Sequence, residues 1–168
     1  MREKPFVNIY TDGACSGNPG AGGYGVVLKY GPHCREMSGG FAVTTNNRME
    51  LLAVITGLEA IKWDKADVLV TSDSSYVVNA INQGWLRSWV ENGFVTRSGG
   101  KKKPVSNIDL WQRLLPLLGK HSVRFAWVKG HNAHPENERC DRLAVAASRA
   151  PGLPADIGYE QNKTEIWK

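Results

Sequence analysis

The sequence predicts an α/β domain, a mixed sheet with helices on its faces. Three observations point there. Strand-like segments fill the first 42 residues; near residue 46 the apolar period changes from two to about 3.6; beyond it helices and strands alternate, giving the order β-β-β-α-β-α-α-β-α. The chain has 168 residues, room for one domain, which at this size buries about two-thirds of the surface its unfolded form exposes.

Each element has its own signal. Phe6 to Thr11 alternates as a strand, Tyr24 to Tyr30 is rich in Val, Leu and Tyr, and Cys34 to Ala42 returns after the turn signal Gly31-Pro32. From Asn46 to Trp63, the side chains of Leu51, Val54, Ile55, Leu58 and Ile61 fall on one helical face. Asp67 to Ser72 reads as a fourth strand, and a helix from about Ser74 meets its stop at Gly84. Residues 85 to 104 read as irregular, aromatic and basic. A helix starts near Asn107 and heads for Gly119, with Pro116 expected to bend or shorten it. Val123, Phe125 and Trp127 alternate as the fifth strand, and Glu136 to Arg149 forms the last helix, stopped by Pro151. The domain is expected to span residues 1–150. Residues 151–168, with Pro and Gly and no clear period, are expected to form an irregular C-terminal tail.

Composition removes several classes. Hydrophobic residues make up 42% and charged residues 22%, which excludes a disordered chain. No run approaches the roughly 18 apolar residues of a spanning helix, so no membrane partner is expected. The three cysteines, Cys15, Cys34 and Cys140, are odd in number and irregularly spaced, which suits a reducing cytoplasm better than a disulfide framework. The N-terminal MREKPFVNIYTDG has no apolar h-region and reads as lacking a signal peptide, so Asn162-Lys163-Thr164 is not taken as a glycosylation site.

The net charge of +5 is informative once located. Residues 85–105 hold Arg87, Arg97, Lys101, Lys102 and Lys103 against Glu91 alone, a net +4. Trp85, Trp89 and Phe94 are interleaved with them. Cations that neutralise phosphates beside rings that pack on sugars or bases suit a nucleic-acid partner. The ordinary alternative is a solvated loop whose aromatics belong to the core.

The acids show a second pattern. Asp12 closes the first strand, Asp73 closes the fourth, and Glu50 and Asp141 lie in the first turns of two helices. In open α/β sheets, ligands gather at such strand ends and helix starts. Singly, each acid is ordinarily a turn former or a partner of the helix dipole. Four of them converging on one edge would repel strongly without cations between them. Oxygen-only donors favour Mg²⁺ or Mn²⁺ over Zn²⁺, and His131, His134 and Cys140 fit no zinc spacing. Gly20-Ala21-Gly22-Gly23-Tyr24-Gly25 satisfies G-x-G-x-x-G, but it opens into a strand-like run and lacks a ribose-binding acid about 20 residues on. Those glycines are instead expected to form a tight connection that lets a ligand approach the backbone.

The segments Tyr10-Thr11-Asp12-Gly13-Ala14-Cys15-Ser16-Gly17-Asn18-Pro19-Gly20, Thr45-Asn46-Asn47-Arg48-Met49-Glu50-Leu51 and Thr71-Ser72-Asp73-Ser74 resemble ribonuclease HI of the bacterial type. So do Trp127-Val128-Lys129-Gly130-His131 and His134-Pro135-Glu136-Asn137-Glu138-Arg139-Cys140-Asp141. The resemblance covers about residues 6–150, with the motifs in family order. It implies a ribonuclease H-like fold, a five-stranded mixed sheet with its first three strands antiparallel and a basic handle at about 85–105. It also implies a cytoplasmic, monomeric endonuclease that cuts the RNA strand of RNA/DNA hybrids with little sequence preference and leaves 5′-phosphate and 3′-hydroxyl ends.

Matched position by position, Asp12, Glu50, Asp73 and Asp141 look like the family's metal-binding carboxylates. They would serve in-line displacement with two Mg²⁺ ions, Mn²⁺ being a substitute. His131 matches a histidine that assists proton transfer or product release, and Glu138 a nearby auxiliary acid. Asn18, Asn46, Asn47 and the backbone around Cys15 match positions that contact the minor groove, where 2′-hydroxyls mark the RNA strand; Asn46 could also cap its helix. Trp85 and Trp89 match the channel for the DNA strand's sugars, Thr45 and Asn107 match a DNA-phosphate pocket, and Lys101 to Lys103 retain the basic handle.

Val43 stands where the family commonly has Arg, Ser75 where a Gln often contacts substrate, and Val90-Glu91-Asn92 replaces a more basic run, so weaker hybrid binding is expected. Two other classes share part of this pattern. Resolvase-like nucleases or strand transferases fit poorly with the short chain and the Asn-rich groove positions, and a non-catalytic hybrid-binding module fits poorly with four intact acids.

Overall fold

The computed structural model describes residues 4–130 and 134–166. Strands β1 (Phe6–Gly17), β2 (Gly20–Tyr30) and β3 (His33–Thr44) form an antiparallel meander. The chain then crosses over through α1 (Asn46–Glu59) to place β4 (Asp67–Ser72) parallel to β1. Helices α2 (Ser75–Asn82) and α3 (Trp85–Glu91) lead to a small antiparallel hairpin, β5 (Val95–Ser98) and β6 (Lys101–Pro104). After α4 (Ile108–Lys120), β7 (Ser122–Trp127) joins β4 in parallel, completing a five-stranded sheet of order β3-β2-β1-β4-β7. Helix α5 (Pro135–Ser148) and a final α6 (Ile157–Ile166) follow. The mixed sheet expected from the sequence, antiparallel in its first three strands, is the one observed.

The two sheet faces are covered for different reasons. The apolar stripe of α1 (Leu51, Val54, Ile55 and Leu58) is buried against Val7, Ile9 and Val26 of the sheet. Such fully buried aliphatic side chains each contribute roughly 1.5–3 kcal/mol relative to exposure. On the other face α5 is mostly alanine and polar residues and has little bulk to offer. It therefore packs by closeness: a Cβ on Gly23 would lie 2.3 Å from the Ala144 carbonyl oxygen, and one on Gly25 would lie 2.2 Å from that of Cys140. The glycine run expected to admit a ligand thus lies in a strand and admits a helix. Adding one methyl, Gly25→Ala, forces α5 outward because the obstacle is backbone rather than a movable side chain. Overpacking of this kind costs about 2–3 kcal/mol, or roughly 4–12 °C in Tm for a chain of this size. Thermal unfolding of that variant at an unchanged Tm would contradict the close approach.

Four expectations need correction. Helix α1 ends at Glu59 rather than Trp63, because the chain turns at Ala60 to bring Ile61 and Ala66 into the core. The segment expected to be irregular contains α3 and the β5–β6 hairpin, whose Gly99-Gly100 turn has positive φ at both residues. Helix α4 runs past Pro116 to Lys120, since its apolar side (Leu110, Trp111 and Leu114) is buried while Pro116 faces solvent, where water can satisfy the carbonyl left without a partner. The tail is not irregular throughout. The Ala42 N–H donates to the Pro154 carbonyl, Asp156 is buried, and its carboxylate accepts from the Tyr159 N–H at the start of α6.

Candidate active site

The parallel pairing of β1 with β4 stops at Thr11–Ser72, while β1 itself continues with β2 to Gly17. Asp12 is therefore not at a strand end, as expected, but at the residue where the sheet opens on one side. One residue past Ser72, Asp73 leaves the end of β4 beside it. Glu50 reaches the same place from the second turn of α1, and Asp141 from α5. One carboxylate oxygen each from Asp12, Glu50 and Asp73 lies within 4.8 Å of the others. Asp141 borders a cleft of about 360 Å³ with these three and Asn46, Asn47 and Ser75. Gly13 donates its N–H to Asp12 Oδ1 at 2.9 Å, which holds the carboxylate facing the opening.

The electrostatics of this arrangement are costly for a protein without cations. Burial, reinforced by the charges of Asp73 and Asp141, pushes the Asp12 carboxyl up to about 8. Burial and then the charges of Asp12 and Asp73 hold Glu50 well above the usual carboxylate range. Glu50 Oε2 is buried with no hydrogen-bond partner among the described residues. Buried polar atoms are normally paired, and buried charges are normally compensated or metal-bound. An orphaned carboxylate oxygen inside an all-oxygen cluster fits hard divalent cations such as Mg²⁺ or Mn²⁺.

The polar rim is organised from the chain's early turns. Thr45, not Asn46, caps α1: its side chain accepts from the Arg48 N–H at 3.3 Å. The Asn46 N–H is bound by Asn18 Oδ1 at 3.2 Å, which couples the β1–β2 turn to the helix start. Cys15 donates its thiol to the carbonyls of Gly20 and Thr44, stapling the same turn to the end of β3. Asn18 and Asn47 are exposed at this edge.

Farther along, Trp85 is exposed, whereas Trp89 packs edge-on against the buried Trp111 with ring centroids 5.3 Å apart. Trp89 also walls a second hollow with Arg97 and Lys102 between α3 and the hairpin. Lys101, Lys102 and Lys103 are all exposed on β6. Asn107 adopts a left-handed conformation ahead of α4; its Nδ2 donates to the Tyr76 hydroxyl, and its Oδ1 accepts from Arg48. Val43 and Ser75 are exposed, and Glu138 is exposed in the first turn of α5.

His131 lies outside the described residues. Its neighbour in sequence, Gly130, sits against the site, where a Cβ would come within 2.9 Å of Asp73 Oδ2. Trp127 Nε1 donates to the Asp73 carbonyl at 3.1 Å. Sequence reasoning missed Gly13, Tyr76 and above all Arg48. The available signal for Arg48 was its phase: it lies three residues before Leu51 and seven before Ile55, on the apolar face of α1, where a cation requires carboxylate partners.

A mixed sheet whose acids gather where parallel pairing stops, beside a groove with a cationic hairpin farther along, defines a metal-dependent nuclease. The RNase H family model matches residues 4–149. The chain is 59% identical over 151 residues to a ribonuclease H of Desulforamulus reducens, covering 90% of this chain and 92% of that one. Among solved structures it is similar to LC9-RNase H1, a type 1 RNase H with the type 2 active-site motif, at TM-score 0.77 and 32% identity over 99% of this chain and 84% of that one. It is also similar to LC11-RNase H1, solved in complex with RNA/DNA hybrid, at TM-score 0.63 and 25% identity over 84% and 95% of the two chains. The chain belongs to the ribonuclease H family, and the family's enzymes are metal-dependent endoribonucleases.

Proposed function

We propose that this protein hydrolyses the RNA strand of RNA/DNA hybrids endonucleolytically, leaving 5′-phosphate and 3′-hydroxyl ends, with Mg²⁺ as the working ion and Mn²⁺ as a substitute. The observation that carries the reading is the Asp12–Glu50–Asp73 cluster, within 4.8 Å and partly uncompensated, on a cleft shared with Asp141, Asn46 and Asn47. These four carboxylates would hold two ions. Bound there, the ions supply Lewis-acid activation of the attacking water and charge stabilisation at the departing 3′-oxygen. Asp12 is oriented for this by the Gly13 N–H and Asp73 by the packing of Trp127 and Gly130.

The chain's other groups bind and orient. Asn18, Asn46, Asn47 and the backbone at Cys15 offer donors and acceptors for 2′-hydroxyls and the minor groove. Thr45 and Asn107 take a phosphate of the DNA strand, Trp85 and Trp89 its sugars, and Lys101 to Lys103 its flanking phosphates. Such contacts go to backbone and shape, so cleavage depends little on sequence. His131 assists proton transfer or product release, and Glu138 is an auxiliary acid. The domain at 1–150 carries the chemistry and works as a monomer in the cytoplasm without an obligate protein partner. Among the described residues, no helix is long and apolar enough to cross a membrane.

The test is an end-labelled RNA/DNA hybrid incubated with the protein beside single-stranded and duplex RNA, with Mg²⁺ or EDTA. Cutting of the hybrid's RNA strand alone, and only with Mg²⁺, is expected. No cutting, or equal cutting of all three, overturns the reading.

A further inference from the structure

Among the described residues, the most heavily hydrogen-bonded side chain is one the nuclease chemistry does not use. Arg48 is 2% exposed. Its guanidinium makes a bidentate pair with Asp109 of α4, at 2.8 and 2.7 Å. A second carboxylate, Asp156 of the C-terminal tail, accepts from Nε at 2.8 Å and from Nη2 at 3.1 Å. Thr44 donates its hydroxyl to the same Asp156 at 2.6 Å. The arrangement is closed from above by α6, where a Cβ on Gly158 would lie 2.1 Å from Asp109 Oδ2.

Stability alone accounts poorly for such a network. Taking a cation and two carboxylates out of water costs nearly as much as their attraction returns, and an apolar cluster of the same volume would hold the fold at least as well. What an arginine fork adds is direction, because its five donors fix the angles of everything bonded to them.

The groups it fixes are informative. Arg48's own N–H bonds to the Thr45 hydroxyl, and its Nη1 reaches Asn107 Oδ1 at 3.4 Å. Thr44 and Asp109 are the sequence neighbours, by one and two residues, of that same pair. Thr45 and Asn107 come from chain segments 62 residues apart, yet both bond to Arg48, Thr45 to its backbone N–H and Asn107 to its guanidinium. Asn107 Nδ2 donates to the Tyr76 hydroxyl, so the side-chain amide is oriented from both its oxygen and its nitrogen.

We propose that Arg48, held by Asp109 and by the tail residue Asp156, is a positioning residue that sets the distance between Thr45 and Asn107, and that the C-terminal tail is thereby a working part of the pocket for the DNA-strand phosphate. The inference rests on the reading of Thr45 and Asn107 as hybrid-binding groups. A tail that only straps β3 and α4 together would raise stability without touching substrate affinity.

The experiment uses the full chain, the hybrid substrate and Asp156→Asn, which leaves the Arg48–Asp109 pair in place for folding. Asn107→Ala and the double variant complete a cycle, all measured well below each protein's Tm. Asp156→Asn is expected to raise KM for the hybrid about fivefold to tenfold, with kcat and the Mg²⁺ dependence within about twofold of the parent. In the double variant KM should rise no further than in Asn107→Ala alone, because both changes disable one pocket. A lowered Tm with unchanged KM overturns the proposal, and so does a KM effect that multiplies with that of Asn107→Ala. Direct binding of the hybrid in EDTA separates the two levels of argument. If the parent binds the hybrid without cutting it, the catalytic reading fails while the cycle can still be read in Kd. If the parent neither binds nor cuts, both fall.

Discussion

Asp12→Asn is expected to slow hybrid hydrolysis by at least about 10³-fold while making the metal-free protein more stable. On the proposed reading of Asp12 as a metal ligand, the loss follows from removing the charge of a carboxylate that interacts with each of the other three; groups that act as a unit lose most of their catalysis with any one member. The gain follows from the site's electrostatics. Asp12 is nearly buried, and both its burial and the neighbouring carboxylates oppose its charge. Asparagine keeps the shape and removes the charge, and its side-chain carbonyl can still accept from Gly13. Removing that cost, which the native protein meets by holding a proton on Asp12, should add about 1–2 kcal/mol, or roughly 2–8 °C in Tm. Single-turnover cleavage and thermal unfolding in EDTA check the two halves on one sample. A variant that is both inactive and less stable than the parent would mean that Asp12 serves the fold.

The second large effect is a coupling between pH and the divalent ion. A carboxyl raised to about 8 from an ordinary 3.8 keeps its proton in the native protein and releases it on unfolding. Below pH about 4 both states hold that proton. Between about 4 and 8 only the native state does, so the metal-free protein loses stability as pH rises through this window. On the proposed reading of Asp12 as a metal ligand, a divalent cation such as Mg²⁺ would have to displace that proton, and its affinity is expected to rise with pH until about 8. We expect a five- to tenfold tighter apparent Mg²⁺ constant per pH unit between 6 and 7.5, and a Tm increment from saturating Mg²⁺ that grows over the same range. In Asp12→Asn the fall of metal-free stability with pH should flatten. A parent protein whose Mg²⁺ affinity is level from pH 6 to 8 would contradict this account of the site.

The two effects share a cause that bears on how the protein is built. In the metal-free chain the cluster is costly to ionise, because burial and the neighbouring carboxylates both oppose the charge. Gly13 and Gly130 lie against the cluster. A Cβ on Gly13 would meet the α1 backbone at 2.8 Å, and one on Gly130 would meet Asp73 itself. The backbone thus packs directly against the start of α1 at Glu50 and against the Asp73 carboxylate.

Much of this was legible in the chain. The change of period at residue 46 marks the crossover that turns an antiparallel meander into a mixed sheet, and that crossover is what opens the sheet beside Asp12. Asp73 could be found because it follows the end of a strand, Glu50 and Asp141 because they lie in the early turns of helices, and Asp12 because it precedes a Gly-rich segment, although that segment proved to be strand. The cationic hairpin could be found because charge is a compositional signal. Its strands were hidden, since four residues on each side of a Gly-Gly turn are too few to show a period. The packing role of Gly23 and Gly25 was hidden for a different reason: a glycine tells a reader that something comes close, not whether it is a ligand or a helix.

By itself, then, the sequence determined the α/β class, the positions of the four carboxylates and the location of the basic charge, because each of these is written in neighbours along the chain. Tertiary structure alone decided that Asp12 lies inside a strand rather than at its end, that Thr45 rather than Asn46 caps α1, and that Arg48 answers to Asp109 and Asp156. Arg48 and Asp156 are separated by 108 positions. Nothing local records their pairing; it exists because a buried guanidinium must find carboxylates, and only the folded chain brings its last segment back to supply one.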